Sequence, residues 1–158
     1  MADGRIVEVS PRDGLQNLPP PAIPTKTKLG LIERLLDAGV RNVEVGSFVR
    51  GDWVPQMADS STLLPQLPPT SAIPCPPEPA PPQELSGIPP YSGVRLTEKD
   101  GKAWFPVLVP NMRGLDNLLK LEEEHRGTGR TEKLTEEIAV FVSATEASRF
   151  LFGFQAHY

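Results

Sequence analysis

Arg12 and Asp13 stand side by side immediately after a short β-branched run, Arg5-Ile6-Val7-Glu8-Val9-Ser10. In parallel α/β folds the side chains that follow the C-terminal ends of strands converge on one mouth. A carboxylate placed there is a hard oxygen ligand for Mg2+ or Mn2+, and a neighbouring guanidinium can hold developing oxyanion charge. The pair therefore suits an anionic substrate held on a divalent cation. For the dipeptide alone, two residues capping a loop are the simpler account.

Two glutamates sharpen the question. Val7-Glu8-Val9 and Val43-Glu44-Val45 each place a carboxylate inside an apolar strand. Strands of a parallel sheet covered on both faces normally read as continuous apolar runs, and a buried carboxylate needs a partner or a proton. By alternation Glu8 and Ser10 share the face opposite Val7 and Val9. With the valines against helices, both glutamates point into a common interior shared with Arg12. Structural ion pairs with Arg5 or Arg41 carry equal weight with support of a site.

The elements that must position these residues follow from the patterning. Pro11, Asp13 and Gly14 stop the first strand. Thr25 is placed to cap a helix whose Leu29, Ile32, Leu35 and Leu36 fall at helical spacing, and Gly39 supplies its C-terminal stop. A second strand, Asn42 to Val45, follows at once, which makes a βαβ unit with parallel strands. Phe105 to Val109 reads as a third strand, the segment with Met112, Leu115, Leu118 and Leu119 as a helix, and Ile138 to Val142 as a fourth strand.

Between these halves lies a different composition. Eleven of the nineteen prolines fall between Pro65 and Pro90. Such segments favour polyproline II or disorder, so residues 60–103 are expected to be a Pro-rich disordered insertion that adds nothing to a core. Its overlapping PxxP spacings fit a spacer, with an adaptor-binding motif second. The last eleven residues, Ser148 to Tyr158, hold four of the ten aromatics; an apolar tail or edge strand is the first reading and a partner-binding motif the second.

Composition limits the partners. Sixteen Lys plus Arg against twenty Asp plus Glu give a net charge of −4, with no basic tract for nucleic acid or an anionic membrane. The single Cys75 excludes an intrachain disulfide framework and a CxxC metal site. No apolar run approaches the roughly 18–20 residues of a membrane helix. The chain opens Met1-Ala2-Asp3-Gly4 without a visible presequence, from which a cytoplasmic address is expected. His125 and His157 lack acidic or cysteine partners at ligand spacing and are expected to be solvated.

Taken in order, these motifs resemble the first half of 3-hydroxy-3-methylglutaryl-CoA (HMG-CoA) lyase, in the metal-dependent TIM-barrel family that also contains isopropylmalate and homocitrate synthases. The likeness rests on Val7 to Asn17, on Val43 to Val49, on Trp53-Val54-Pro55-Gln56-Met57 with Asp59, and on Phe105 to Asn111 and Ile138 to Glu146. It implies a partial (β/α)8 barrel domain over residues 1–147, about four parallel strands with helices, interrupted by the insertion and followed by a divergent tail, 148–158. The resemblance further implies divalent-metal-dependent cleavage of HMG-CoA to acetyl-CoA and acetoacetate, a step of leucine catabolism and ketone-body formation. In it Arg12 is the catalytic residue that holds thioester oxyanion charge. Asp13 is a ligand to Mg2+ or Mn2+, and Glu8, Gln16 and Glu44 position the pair. Lyases of this family commonly work in mitochondria.

The departures are equally concrete. The family completes its metal site with an H-x-H pair and an asparagine on later segments and uses a cysteine on a mobile loop; none is present, and Cys75 falls in the insertion. Gly46 stands where the lyases often have threonine. Arg50-Gly51 replaces a common Ser-Pro, and Leu18 with its proline run replaces charged residues at the expected CoA contacts. A closed barrel takes at least about 200 residues, so these 158 are expected to be a truncated form with little activity alone. The competing expectation is a non-catalytic half-barrel whose exposed sheet edges pair with another chain or a second copy.

Overall fold

The computed structural model describes residues 2–4, 6–19, 21–69, 94–96, 103–129, 131 and 133–140. Among the described residues are five short strands: β1 (Ala2–Gly4), β2 (Gly46–Ser47), β3 (Val94–Leu96), β4 (Val107–Leu108) and β5 (Ile138–Ala139). Three α-helices accompany them: α1 (Thr25–Asp37), α2 (Ser60–Leu63) and α3 (Met112–Gly127).

β2, β4 and β5 form a parallel sheet in chain order, with Gly46 opposite Val107 and Val107 opposite Ile138. Single bridges lengthen it. Glu8 pairs with Val43 and Asn42 with Trp104, both parallel. Main-chain bonds from Glu8 N to Asn42 O and from Glu44 N to Glu8 O, each 2.8 Å, lay the Glu8 segment beside the Asn42–Ser47 segment. Four parallel segments therefore run side by side in sequence order, as expected for part of a barrel. The first strand is shorter than its β-branched run suggests, reduced to the bridge at Glu8.

The chain before it does something unexpected. β1 pairs in parallel with β3, which lies within the expected insertion. That insertion also begins too early at residue 60. α2 and the 3-10 turn Leu64–Gln66 bring Leu63, Leu64 and Leu67 into the core, and Ala103 is fully buried. The proline count concealed an apolar triplet whose spacing fits one helical turn and its exit. Residues 70–93 and 97–102, which hold Cys75 and eight of the eleven prolines between Pro65 and Pro90, fall outside the described residues, as do Arg5, His157 and the tail from 141 onward.

Helix α1 buries Ile32 and Leu36 and packs Leu29 and Leu35 against the same core. Gly39 ends it with φ 93°. Its N–H bonds Leu36 O, and Val40 N bonds Leu35 O, both at 3.0 Å. This is the glycine-dependent pattern that satisfies two orphan carbonyls. Its start differs from expectation: Pro24 occupies the cap position, and the Thr25 hydroxyl instead donates to Asp59 Oδ2 at 2.7 Å. Helix α3 is capped by Asn111, whose side chain accepts Gly114 N at 3.0 Å. Its core face carries Leu118, with Leu115 and Leu121 partly buried. Met112 and Leu119, expected on the same stripe, are 69% and 56% exposed.

Candidate active site

The segment after the Glu8 bridge winds into a π-helical turn, Ser10–Gly14. The carbonyl of Val9 accepts the N–H groups of Arg12, Asp13 and Gly14 at 3.1, 2.7 and 3.4 Å. Turns with this wide hydrogen-bond spacing are uncommon and concentrate at functional sites. Here the turn sends Arg12 inward and Asp13 outward.

Arg12 is 5% exposed and Glu44 4%. Two parallel bonds join them, Nε to Oε1 at 3.0 Å and Nη2 to Oε2 at 2.9 Å. The remaining terminal nitrogen, Nη1, donates to Asp13 Oδ1 at 2.8 Å. The same oxygen accepts Gln16 Nε2 at 2.6 Å, and the Asp13 side chain is 54% exposed. Glu8 is half-buried, and its Oε1 accepts Ser10 N at 2.8 Å. That bond, aided by the Ser10 side chain, lowers the Glu8 pKa from its ordinary value.

Four of the five expected site residues thus form one hydrogen-bonded chain, Glu44 to Arg12 to Asp13 to Gln16. Glu8 sets the mouth of the turn through Ser10. Glu44 takes Arg12 as its ion-pair partner, where Arg5 or Arg41 was expected for a purely structural pair; Arg5 lies outside the described residues, and Arg41 donates to the carbonyls of Leu36 and Val40, closing the end of α1.

Sequence reasoning passed over a second polar cluster behind the turn. Gln56, 1% exposed, accepts Ile23 N at 2.8 Å and offers its amide to the carbonyls of Leu18, Pro19 and Pro21 at 3.2–3.3 Å. Lys28, 2% exposed, bonds Asp59 Oδ1 at 2.5 Å and also donates to Gln56 O. A proline-rich loop has carbonyls but few N–H groups, so a buried amide is needed to hold it. The Pro55-Gln56-Met57 motif was visible, but its partners are 33 to 38 residues away in sequence.

A divalent cation would find one hard ligand here, the exposed Asp13 carboxylate. Among the described residues no group of three or more His, Cys, Asp or Glu converges on a point. One carboxylate with substrate oxygens and water is a common way to hold Mg2+, so Asp13 fits a first ligand and not a complete cage. At the corner itself the Asp13 side chain is exposed while Arg12 lies buried behind it. A cleft of about 540 Å3 lies to one side, between Ser47–Asp52 and α3, and none of Glu8, Arg12, Asp13, Gln16 or Glu44 lines it.

No family model matches the chain. Curated proteins do. It is 36% identical over 143 residues to the cytoplasmic 3-hydroxy-3-methylglutaryl-CoA lyase of Rattus norvegicus, covering 90% of this chain and 29% of that protein. Against the mitochondrial hydroxymethylglutaryl-CoA lyase of the same organism it is 34% identical, covering 90% of this chain and 30% of the relative. Among solved structures, hydroxymethylglutaryl-CoA lyase from Pseudomonas aeruginosa superposes with a TM-score of 0.56 at 30% identity, over 92% of this chain and 34% of that one. The chain spans about three tenths of the length of the curated relatives it matches. By sequence and by fold, over the part of the barrel that it spans, this chain is a homologue of the HMG-CoA lyases.

Proposed function

We propose that this chain carries the guanidinium-and-carboxylate corner of a carbon–carbon lyase that cleaves HMG-CoA, or a related acyl-CoA, into acetyl-CoA and acetoacetate. The observation that carries the reading is the fixing of Arg12 by Glu44 with Asp13 presented beside it. In the cleavage the substrate's tertiary hydroxyl loses its proton and the adjacent carbon–carbon bond breaks. The electron pair passes to the thioester carbonyl as an enolate, which is then protonated to acetyl-CoA. The Arg12 guanidinium, held by Glu44 beside Asp13, would stabilise that oxyanion charge. Asp13 would hold Mg2+ or Mn2+, which supplies Lewis-acid binding of the substrate's hydroxyl and carboxylate oxygens. Gln16 bonds the same Asp13 oxygen that Arg12 holds, and Glu44 denies Arg12 other orientations.

The eight strands of a closed barrel exceed what these residues can form, so full activity requires the remaining strands, from a continuation of the chain or from another subunit. The exposed apolar residues at the two ends of the sheet, Ile6 on one side and Ile138 and Val140 on the other, support pairing with a second copy or a longer lyase subunit. Cytoplasmic and mitochondrial settings are both represented among the relatives.

The test is a graft. Residues 6–69 of this chain replace the matching segment of the Pseudomonas aeruginosa lyase, and acetoacetate release from HMG-CoA is followed with Mg2+ or Mn2+. Activity that survives the graft and falls by two or more orders of magnitude on Arg12→Gln supports the reading. A folded graft indifferent to Arg12→Gln overturns it.

A further inference from the structure

The loop of residues 18–23 joins the Arg12–Asp13 corner to helix α1 and has little with which to hold itself. From Pro19 to Pro24 the only main-chain N–H groups belong to Ala22 and Ile23, so the segment carries carbonyls and almost no donors. Gln56 meets both needs with one side chain. Its Oε1 accepts Ile23 N at 2.8 Å, and its Nε2 lies 3.2 Å from Leu18 O and 3.3 Å from Pro19 O and Pro21 O. A glutamate there could not donate to the carbonyls, and a methionine could neither donate nor hold the N–H.

The clamp is itself anchored. Gln56 is buried, and its main-chain oxygen accepts the ammonium of Lys28, which also pairs with Asp59. Asp59 takes the Thr25 hydroxyl as well, so the far end of the loop is held from the same side. The near end runs into the corner. Leu18 N donates to Leu15 O at 3.1 Å, closing a turn around Gln16, and Gln16 Nε2 reaches Asp13 Oδ1. The first carbonyl in the clamp is thus two residues from the side chain that meets Asp13. Leu18, Pro19 and Pro21 are exposed, so water can replace the amide at their carbonyls. Loss of the clamp therefore removes local order more than it removes stability.

We propose that Gln56 is a positioning residue for the Arg12–Asp13 corner: its buried amide pins loop 18–23 and thereby keeps Gln16 on Asp13. The service of Asp13 to a cation rests on the function proposed above; the positioning does not.

The test compares the metal-free full chain with Gln56→Met, an apolar side chain of similar size, by nitrogen relaxation of the Gln16 side-chain amide in NMR. Its order parameter should lie above about 0.6 in the wild type and fall below that value in the variant. A change elsewhere, Gly114→Ala in α3, where the added Cβ would meet Phe48 O at 2.7 Å, should lower the urea midpoint and leave Gln16 ordered. Gln16 that stays ordered in Gln56→Met, or that loses as much order in Gly114→Ala, overturns the proposal. Added Mn2+ should broaden the Asp13 and Gln16 amides of the wild type at a lower concentration than in Gln56→Met, and equal broadening in both overturns the proposal too. A wild type that Mn2+ leaves sharp defeats the assignment of Asp13 as a cation ligand, and the Gln16 order parameters still decide the positioning. Should Gln56→Met misfold, Ile23→Pro, which removes the N–H that Gln56 accepts and leaves Gln56 in place, should lower the Gln16 order parameter in the same direction.

Discussion

Arg12 and Glu44 face each other as a fork on a fork, two parallel bonds of 3.0 and 2.9 Å between side chains that are each about 95% buried. Glu44 comes from the middle of an apolar strand and Arg12 from a turn 32 residues earlier. Removing one member leaves the other charge in the interior without compensation, which typically costs about 3–5 kcal/mol. Glu44→Ala should therefore lower stability by about that amount in urea denaturation, and Glu44→Gln, which keeps an acceptor, by less. Arg12→Lys should also weaken the fold, because an ammonium cannot reproduce the two-point contact. A Glu44→Ala variant with the wild-type urea midpoint would show that the pair is not what holds the turn.

A second relationship explains a departure from the lyase pattern. Gly46 lies so close to α2 that an added Cβ would meet Ser60 Oγ at 2.7 Å and Ser60 Cβ at 3.1 Å. Ser60 has little freedom to retreat, since its hydroxyl accepts Ser47 N at 3.0 Å and donates to Met57 O at 2.8 Å. Gly46→Thr should cost about 1–3 kcal/mol by overpacking, and Ser60→Gly alone should also destabilise by removing both bonds. Combined, they should cost less than the sum of the single changes, measured as a double-mutant cycle. Strict additivity would mean that the two positions do not compete for space.

Much of this architecture was legible because its signals are local. The Gly39 stop, the spacing of Ile32 and Leu36 and the β-branched segments before Ser10 and around Val45 need only a few neighbouring residues to be read. The coupling of Arg12, Asp13, Gln16 and Glu44 was also reachable, since a carboxylate inside an apolar strand demands a partner. What escaped has long-range causes. Leu63, Leu64 and Leu67 were hidden by the prolines around them, and composition says nothing about which short apolar turn reaches a core. The motif around Gln56 was visible but its role was not, because its partners are main-chain groups of a distant proline-rich loop. Thr25 looked like a cap because its type fits, yet Asp59 from another element claims its hydroxyl.

Two helical glycines should respond oppositely to alanine. At Gly30, inside α1, an added Cβ meets nothing within 4 Å, so Gly30→Ala should stabilise by up to about 1 kcal/mol through helix propensity. At Gly114, in the first turn of α3, the Cβ would lie 2.7 Å from the carbonyl oxygen of Phe48 and 3.3 Å from Pro110 Cδ. Backbone cannot swing aside as a side chain can. Gly114→Ala should destabilise by about 1–3 kcal/mol despite the better propensity. Thermal melts of the two variants should move in opposite directions; a rise for both would mean that α3 can slide off the Phe48 carbonyl without penalty.

Glu8 ties the fold to pH. Its carboxylate accepts the Ser10 N–H at the entrance of the turn that carries Arg12 and Asp13, and that bond first, with the Ser10 side chain second, lowers its pKa from the ordinary 4.5. The folded chain therefore prefers the ionised form more strongly than the unfolded chain does. The resulting stability is fully present above pH 4.5, where both states are ionised, and is lost as the pH falls through the lower folded value. Glu8→Gln should flatten this part of the acid limb in stability measured against pH, leaving the limb due to other carboxylates. Ser10→Ala should remove the smaller, side-chain part of the shift and keep the larger, because the main-chain N–H remains. An acid limb identical in wild type and Glu8→Gln would show that the bond to Ser10 does not discriminate between the two protonation states.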